Sequence, residues 1–258
     1  MKAIILAAGE GSRLRPLTAS QPKCLVELGG KSLLDWQIDA LRQCGIRDII
    51  VVRGYLADHI KRTDVTFYEN LRYAVTNMVA SLWCAAGEFT EDLVVSYADI
   101  IYNTDVLEPL VKSPADISVV VDVNWKPYWR ERFDDPLSDA ESLKIDSRGG
   151  ITSIGQTPES LEEIEAQYIG LMKFTTAGLG RLTASYHQAV QAVAGGGQAW
   201  GQSRPVERAY MTDLLQGLIL EGTRLRAVKV SGGWLEIDSL SDYDLAKKYI
   251  VGGIIQRK

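Results

Sequence analysis

Three cations follow the first apolar run of this chain at a spacing that suits a polyphosphate. The run at 3–8 breaks off at Gly9, and Arg13, Arg15 and Lys23 come before the chain turns apolar again. A buried strand that ends in Ala7-Ala8-Gly9-Glu10-Gly11-Ser12 brings backbone N–H groups close to a ligand, because small residues present little side chain. Arg13 and Lys23 can then neutralise phosphate charge, and Pro16 and Pro22 stiffen the loop that carries them. Two common phosphate motifs fail here. The dinucleotide fingerprint has Leu14 where its third glycine belongs, and the P-loop pattern ending in Gly30-Lys31-Ser32 has Leu25 in place of its first glycine.

Carboxylates stand at the ends of two further apolar runs, Asp99 after LVVSYA and Asp238 after WLEI. An acid in such a place is often a helix cap or a solvated turn. It is also what a hard divalent cation needs when phosphate oxygens complete its shell. His59 and His187 are the only histidines, which leaves little material for a histidine metal site or a Ser-His-Asp triad.

The elements that must position these residues alternate. Strands are expected over 48–53, 65–69, 93–97, 117–123, 168–174, 225–230 and 234–237. Helices are expected over 56–61, 78–86, 104–112, 176–194 and 241–251. A first helix carries Leu34, Ile38 and Leu41 on one face, with Ser32 as its cap and Gly45 after its end, and Thr212 is expected to cap another. Residues 143–154 read as a hairpin around Arg148-Gly149-Gly150, the glycine run 195–197 as a mobile loop or a helix stop, and 122–141 as a segment without clean period. Alternation of this kind implies a mostly parallel sheet with helices on both faces, whose ligands sit at the carboxyl ends of the strands.

The chain has 258 residues, 46% hydrophobic and 24% charged, as in a soluble globular protein. Its net charge of -5 argues against a nucleic-acid partner. No apolar run reaches membrane-spanning length and no signal peptide is expected, and Cys24, Cys44 and Cys84 read as reduced structural thiols in a cytoplasmic protein.

The pattern G-x-G-x-R-L-x-P-x-T followed by P-K-C-L resembles the signature of nucleotidyltransferases that join a nucleoside monophosphate to a phosphorylated small molecule. That group contains sugar-1-phosphate nucleotidylyltransferases and phosphocholine cytidylyltransferases. The resemblance implies a single nucleotide-diphospho-sugar transferase-like domain over 1–258, Rossmann-like, with a small β-rich acceptor-binding lid. Residues 1–123 would be mainly nucleotide-binding and 124–235 mainly acceptor-binding. It implies Arg13 and Lys23 as catalytic cations, Leu6, Ala7, Ala8, Gly9, Gly11, Ser12 and Ala98 around the nucleotide, and Asp99 and Asp238 as Mg²⁺ ligands.

The stretch 68–82 resembles the cytidylyltransferases more than the sugar enzymes, which points to CTP. Asn77 and Ser81 could read the cytosine edge, although Asn77 could equally cap the helix starting at Met78. Residues 122–141, 165–168 and 210–213 resemble enzymes acting on small phosphonates or on acyl and amino phosphates, including 2-aminoethylphosphonate and phosphoglutamine. Asp122, Trp125, Trp129, Arg132, Glu141, Tyr168, Asp213 and Trp234 are the acceptor candidates. Trp125, Trp129, Tyr168 and Trp234 could form a choline cage. Arg130 and Arg132 suit an anion, and Asp122, Asp139 and Glu141 suit an amine, while packing and solvated-loop roles compete with all of these. One departure stands out: Gln156 occupies the turn where sugar enzymes carry an acceptor-phosphate lysine, with Lys144 or Lys173 as substitutes. The expected reaction is CMP transfer to a small phosphonate or phosphate. A sugar-1-phosphate enzyme and a silent nucleotide-binding regulatory subunit are the rivals, and the chain leaves a homodimer open.

Overall fold

The computed structural model describes residues 1–202 and 204–252. β1 (Lys2–Ala7) is followed by the short pair β2 (Glu27–Leu28) and β3 (Lys31–Ser32), then α1 (Leu33–Gln43), β4 (Asp48–Arg53), β5 (Thr66–Glu69) and α2 (Met78–Cys84). Next come β6 (Leu93–Tyr97), β7 (Ile100–Tyr102), α3 (Thr104–Lys112), β8 (Ile117–Asp122), α4 (Trp125–Arg132), β9 (Ser142–Ile145), β10 (Gly150–Gln156) and β11 (Gln167–Phe174). α5 (Thr176–Ala194), α6 (Met211–Leu220), β12 (Leu225–Val230), β13 (Trp234–Glu236) and α7 (Leu240–Val251) complete the described chain.

Nine strands form one sheet in the order β5-β4-β1-β6-β11-β8-β12-β10-β9. The half from β5 to β6 is parallel throughout, while β11 runs against both β6 and β8 and the β9–β10 hairpin continues the far edge. β1, β4, β6 and β8 are near-continuous apolar runs because both of their faces are covered. Ile4 and Leu6 join Val79, Leu182 and Leu215 on one face, and Ala3 and Ile5 join Ile38, Leu107 and Leu110 on the other. From β1 the chain moves outward to β4 on one side and later to β6 on the other. The carboxyl ends of β1 and β6 therefore flank a topological switch point, where open sheets of this kind bind ligands.

A third apolar cluster, containing Leu14, Leu28, Trp36, Ile101, Leu235 and Ile237, packs the β13–α7 segment against the loop after β1. Nothing in the local sequence of either segment specifies that seam.

Local expectations met the tertiary structure unevenly. Ser32 caps α1 by accepting the Asp35 N–H, and Gly195 ends α5 with Gly196 at φ +84, so that glycine run is a helix stop. Thr212 lies inside α6, whose cap is Tyr210 paired with Asp213. Residues 56–61 form only a 3-10 turn at Ala57–His59. The segment without clean period contains α4, whose eight residues WKPYWRER hide their helical period because the buried ones include an arginine. Its proline falls in the first turn, where no N–H is missed.

β11 bulges between Tyr168 and Met172, and Gly170 there has φ +81. A Cβ at this position would lie 2.6 Å from Cδ2 of Tyr97 and 3.0 Å from its Cβ. Gly170→Ala should therefore destabilise the protein by about 2 kcal/mol, seen as a Tm lower by roughly 4–8 °C in a thermal melt.

Candidate functional site

Gly11 takes a left-handed conformation at φ +62 to start the turn Ser12–Leu14, and its carbonyl accepts the Thr18 hydroxyl at 2.8 Å. A Cβ on Gly11 would come within 2.9 Å of Lys23 Cβ. The glycine is thus required by the lysine stem that passes over it as well as by the turn. Lys23 opens the 3-10 turn Lys23–Leu25 and extends its ammonium into the cleft between the ends of β1 and β6.

There Lys23 Nζ donates to Asp99 Oδ2 at 2.9 Å and to Asp238 Oδ1 at 2.7 Å. Burial alone would lower the lysine pKa, but the two carboxylates outweigh it and hold the group protonated, with its pKa raised. Arg13 forms a second ion pair with Asp238. The N–H of Ile237 donates to the Asp99 carbonyl at 2.8 Å, so the two acidic segments are fastened to each other. Oδ1 of Asp99 is buried and has no hydrogen-bond partner. A buried carboxylate oxygen without a donor is a mismatch that a cation relieves. Two carboxylates with one such oxygen fit Mg²⁺, which commonly takes one or two protein carboxylates and leaves its other positions to water and ligand phosphates. No larger cluster of metal-ligating side chains occurs among the described residues.

The cleft has a volume of about 270 Å³, and its walls include every residue expected around the nucleotide: Leu6, Ala7, Ala8, Gly9, Gly11, Ser12, Arg13, Lys23, Asn77, Ser81 and Ala98. Cys24, Asp99 and Asp238 also line it, as do Tyr73, Thr76, Met78 and Tyr97, which were not singled out from the sequence. Asn77 holds both of its expected positions, accepting the Met78 N–H as the α2 cap and lining the cleft. The buried Asn70 also escaped sequence reasoning. Its amide donates to Thr76 Oγ1 at 2.9 Å and Ser81 Oγ at 3.0 Å, drawing that loop onto α2.

A second cavity of about 300 Å³ adjoins the first and shares Arg13, Met78 and Tyr97 with it. Trp129, Glu141 and Tyr168 line it as expected, together with Asp139, Gln167, Tyr210, Thr212 and Glu236. Burial pushes the Glu141 carboxyl up to about 7, with Asp213 and Asp139 adding to the effect and Arg204 opposing it. Asp139 is also raised, chiefly by burial. Three carboxylates therefore face this space, and Arg13 is the one cation on its wall among the described residues.

Five acceptor candidates lie off that wall. Asp122 is buried and accepts the indole N–H of Trp234 at 2.8 Å and the Asn124 N–H at 2.8 Å. Trp125 and Trp234 are core residues, 1% and 3% exposed, so the four-residue choline cage does not assemble. The Arg132 guanidinium is enclosed between Glu236 and Asp242. Asp213 is engaged by the Tyr210 N–H at 2.8 Å and by Arg204 at 3.5 Å. These side chains look functional in a sequence because buried polar and aromatic groups use the same residue types as ligand sites. Lys173 donates to the carbonyls of Val111 and Ser113, and neither it nor Lys144 reaches either cavity.

Residues 3–147, more than half of the chain, match the MobA-like NTP transferase domain, and the chain belongs to that family of nucleotidyltransferases. It is 41% identical over 256 residues to the CTP:phosphoglutamine cytidylyltransferase of Campylobacter jejuni, covering 95% of this chain and 98% of that one. A choline-phosphate cytidylyltransferase of Streptococcus pneumoniae is 38% identical over 117 residues, 44% of this chain and 51% of that one. Two solved structures share the fold. The CTP:phosphocholine cytidylyltransferase from S. pneumoniae superposes with a TM-score of 0.71 at 24% identity, covering 96% of this chain and 97% of that one. The inositol-1-phosphate CTP transferase from T. maritima gives 0.70 at 20%, covering 96% and 95%. No helix among the described residues is long and apolar enough to cross a membrane.

Removing one charge from the Lys23–Asp99–Asp238 group should cost on the order of 3 kcal/mol of barrier, roughly a hundredfold in turnover. Lys23→Ala and Asp99→Asn should each show that loss in a pyrophosphate-release assay while circular dichroism stays native.

Proposed function

We propose that this protein transfers CMP from CTP to a small phosphonate or phosphorylated acceptor whose far end carries an amine. The observation that carries the reading is the pair of adjoining cavities joined at Arg13, one ending in the Lys23–Asp99–Asp238 group and the other lined by carboxylates. A phosphate oxygen of the acceptor attacks the α-phosphorus of CTP. The bond from that phosphorus to the bridging oxygen breaks, and pyrophosphate leaves with the electron pair. The acceptor needs no general base, since a phosphate monoester with a second pKa near ~6 is mostly dianionic at neutral pH.

Positioning and charge then do the catalysis. Asp99 and Asp238 would hold Mg²⁺, which when bound supplies charge neutralisation for the phosphates. Lys23 provides a fixed ammonium on the nucleotide side. Arg13, on the wall of both cavities, is suited to meet the acceptor phosphate and the triphosphate at their junction. It can supply the charge that Gln156 lacks. Backbone N–H groups at 8–12 are placed to suit the phosphates, and Asn77 and Ser81 suit the amino and carbonyl edge of cytosine. The curated relatives support CTP and a phosphorylated acceptor. Glu141 and Asp139 support an ammonium at the far end, because an anionic or neutral sugar ring would leave their charge unmatched.

Pyrophosphate release should be measured with Mg²⁺ and each nucleoside triphosphate against phosphoglutamine, 2-aminoethylphosphonate, phosphocholine and glucose-1-phosphate, with products weighed by mass spectrometry. A CMP adduct of an amine-bearing acceptor is expected, and an adduct formed only with glucose-1-phosphate rejects the reading.

The pH dependence has a definite sign. A carboxyl raised to about 7 opposes folding increasingly as pH climbs from its ordinary value toward 7, and an ammonium binds only its ionised form. For 2-aminoethylphosphonate, kcat/KM should rise as pH passes about 7. Glu141→Gln should reduce that rise for 2-aminoethylphosphonate while leaving the profile of the amine-free propylphosphonate, which follows that acceptor's own ionisation, unchanged, and should raise KM for the amine roughly tenfold or more.

A further inference from the structure

Arg132 closes α4, yet its side chain is only 1% exposed. Its guanidinium lies against the rings of Tyr128, Trp129 and Phe133 at 5.4, 5.1 and 4.8 Å. A cation this far from water persists only when its charge and its N–H groups are matched. Nη1 donates to Glu236 Oε2 at 2.6 Å, Nε to Asp242 Oδ1 at 2.8 Å and Nη2 to Asp242 Oδ2 at 3.3 Å.

Both acids lead on to the site. Oδ2 of Asp242 also accepts the backbone N–H of Asp238 at 3.2 Å and of Ser239 at 3.0 Å, fixing the turn from which the Asp238 carboxylate emerges. Glu236 stands two residues before Asp238 and lines the carboxylate-bearing cavity. Its backbone N–H donates to the Tyr128 hydroxyl at 3.0 Å, and that hydroxyl donates to its carbonyl at 3.3 Å. Residues 236–238 are therefore fastened to α4 on one side and to the Asp99 strand end on the other, and the same α4 presents Trp129 to the acceptor-side cavity. Stability alone is a weak reason for such a cluster, since well-packed apolar residues often replace a buried ion pair without loss.

We propose that Arg132 is the positioning residue of the reaction centre, setting the Asp238 carboxylate through Asp242 and tying it to the acceptor cavity through Glu236. It touches no substrate. The planar fork is the essential feature, because a lysine offers a point charge that cannot hold two acids in fixed relation. The proposal rests on the reading that Asp238 serves nucleotidyl transfer.

The test is a double-mutant cycle with two readouts, kcat from pyrophosphate release and Mn²⁺ affinity in the presence of CTP by electron paramagnetic resonance. Arg132→Lys should keep native circular dichroism, lower kcat about tenfold, weaken Mn²⁺ binding and leave KM for CTP within about threefold. In an Asp238→Asn background it should cost less than about twofold further in either readout, because the group it acts through is already disabled. Effects that multiply across the cycle overturn the proposal, as does a lowered Tm with wild-type kcat and Mn²⁺ affinity. If Arg132→Lys does not fold, Asp242→Asn replaces it in the same cycle with the same expectations. A wild-type protein that binds Mn²⁺ with CTP yet transfers CMP to no acceptor rejects the functional reading. The Mn²⁺ arm of the cycle then decides the positioning role by itself.

Discussion

The ammonium of Lys23, held between the carboxylates of Asp99 and Asp238, joins parts of the chain that lie 76 and 215 residues apart. Two carboxylates brought together in a half-buried cleft repel one another, and the cost rises as water is excluded. The lysine offsets that cost, so the site exists only while all three segments are in register. Much of the architecture serves this meeting. Parallel pairing of β1 with β6 sets the glycine loop beside Asp99, and the apolar seam around Leu14, Ile101, Leu235 and Ile237 brings the start of α7 over the same strand ends.

Charge divides the two cavities. In the first cavity Lys23 and Arg13 are matched by Asp99 and Asp238, while in the second Asp139, Glu141 and Glu236 face a space whose one cation among the described residues is Arg13. An acceptor that is anionic at one end and cationic at the other would be oriented by this field before any shape is tested. Family membership rests on the matched region 3–147, which contributes residues to both cavities. The second cavity draws its wall largely from β11, the start of α6 and the segment after α4.

The residues at 3–23 were legible because their chemistry is local. A strand, a glycine turn and a following lysine are close in sequence, so small side chains and a short loop already confine the geometry. Asp99 and Asp238 were legible as strand-end acids through the likeness to known nucleotidyltransferases. Most of the strand and helix order followed from apolar runs and periodicity; the exceptions were the short strands β2, β3 and β7, the 3-10 turn in place of a helix at 56–61, and α4, whose buried face includes a charged residue.

Residue types by themselves did not distinguish a ligand wall from a core. Trp125, Trp129 and Trp234 carry the same side chain, yet of the three only Trp129 lines either of the two adjoining cavities, because helix phase and the packing of α4 against β13 decide which ring meets that space. Arg132 and Asp122 read as ligands from their charge, and tertiary contacts with Asp242 and with Trp234 turned both inward. Sequence by itself determined the glycine loop with its cations, the alternating sheet architecture and a scarcity of histidine that leaves little material for a histidine metal site or a Ser-His-Asp triad. The carboxylate-lined cavity, the mixed direction of the sheet and the clamp on Asp238 were decided only in three dimensions, because each depends on contacts between segments whose separation along the chain leaves their relative placement unspecified.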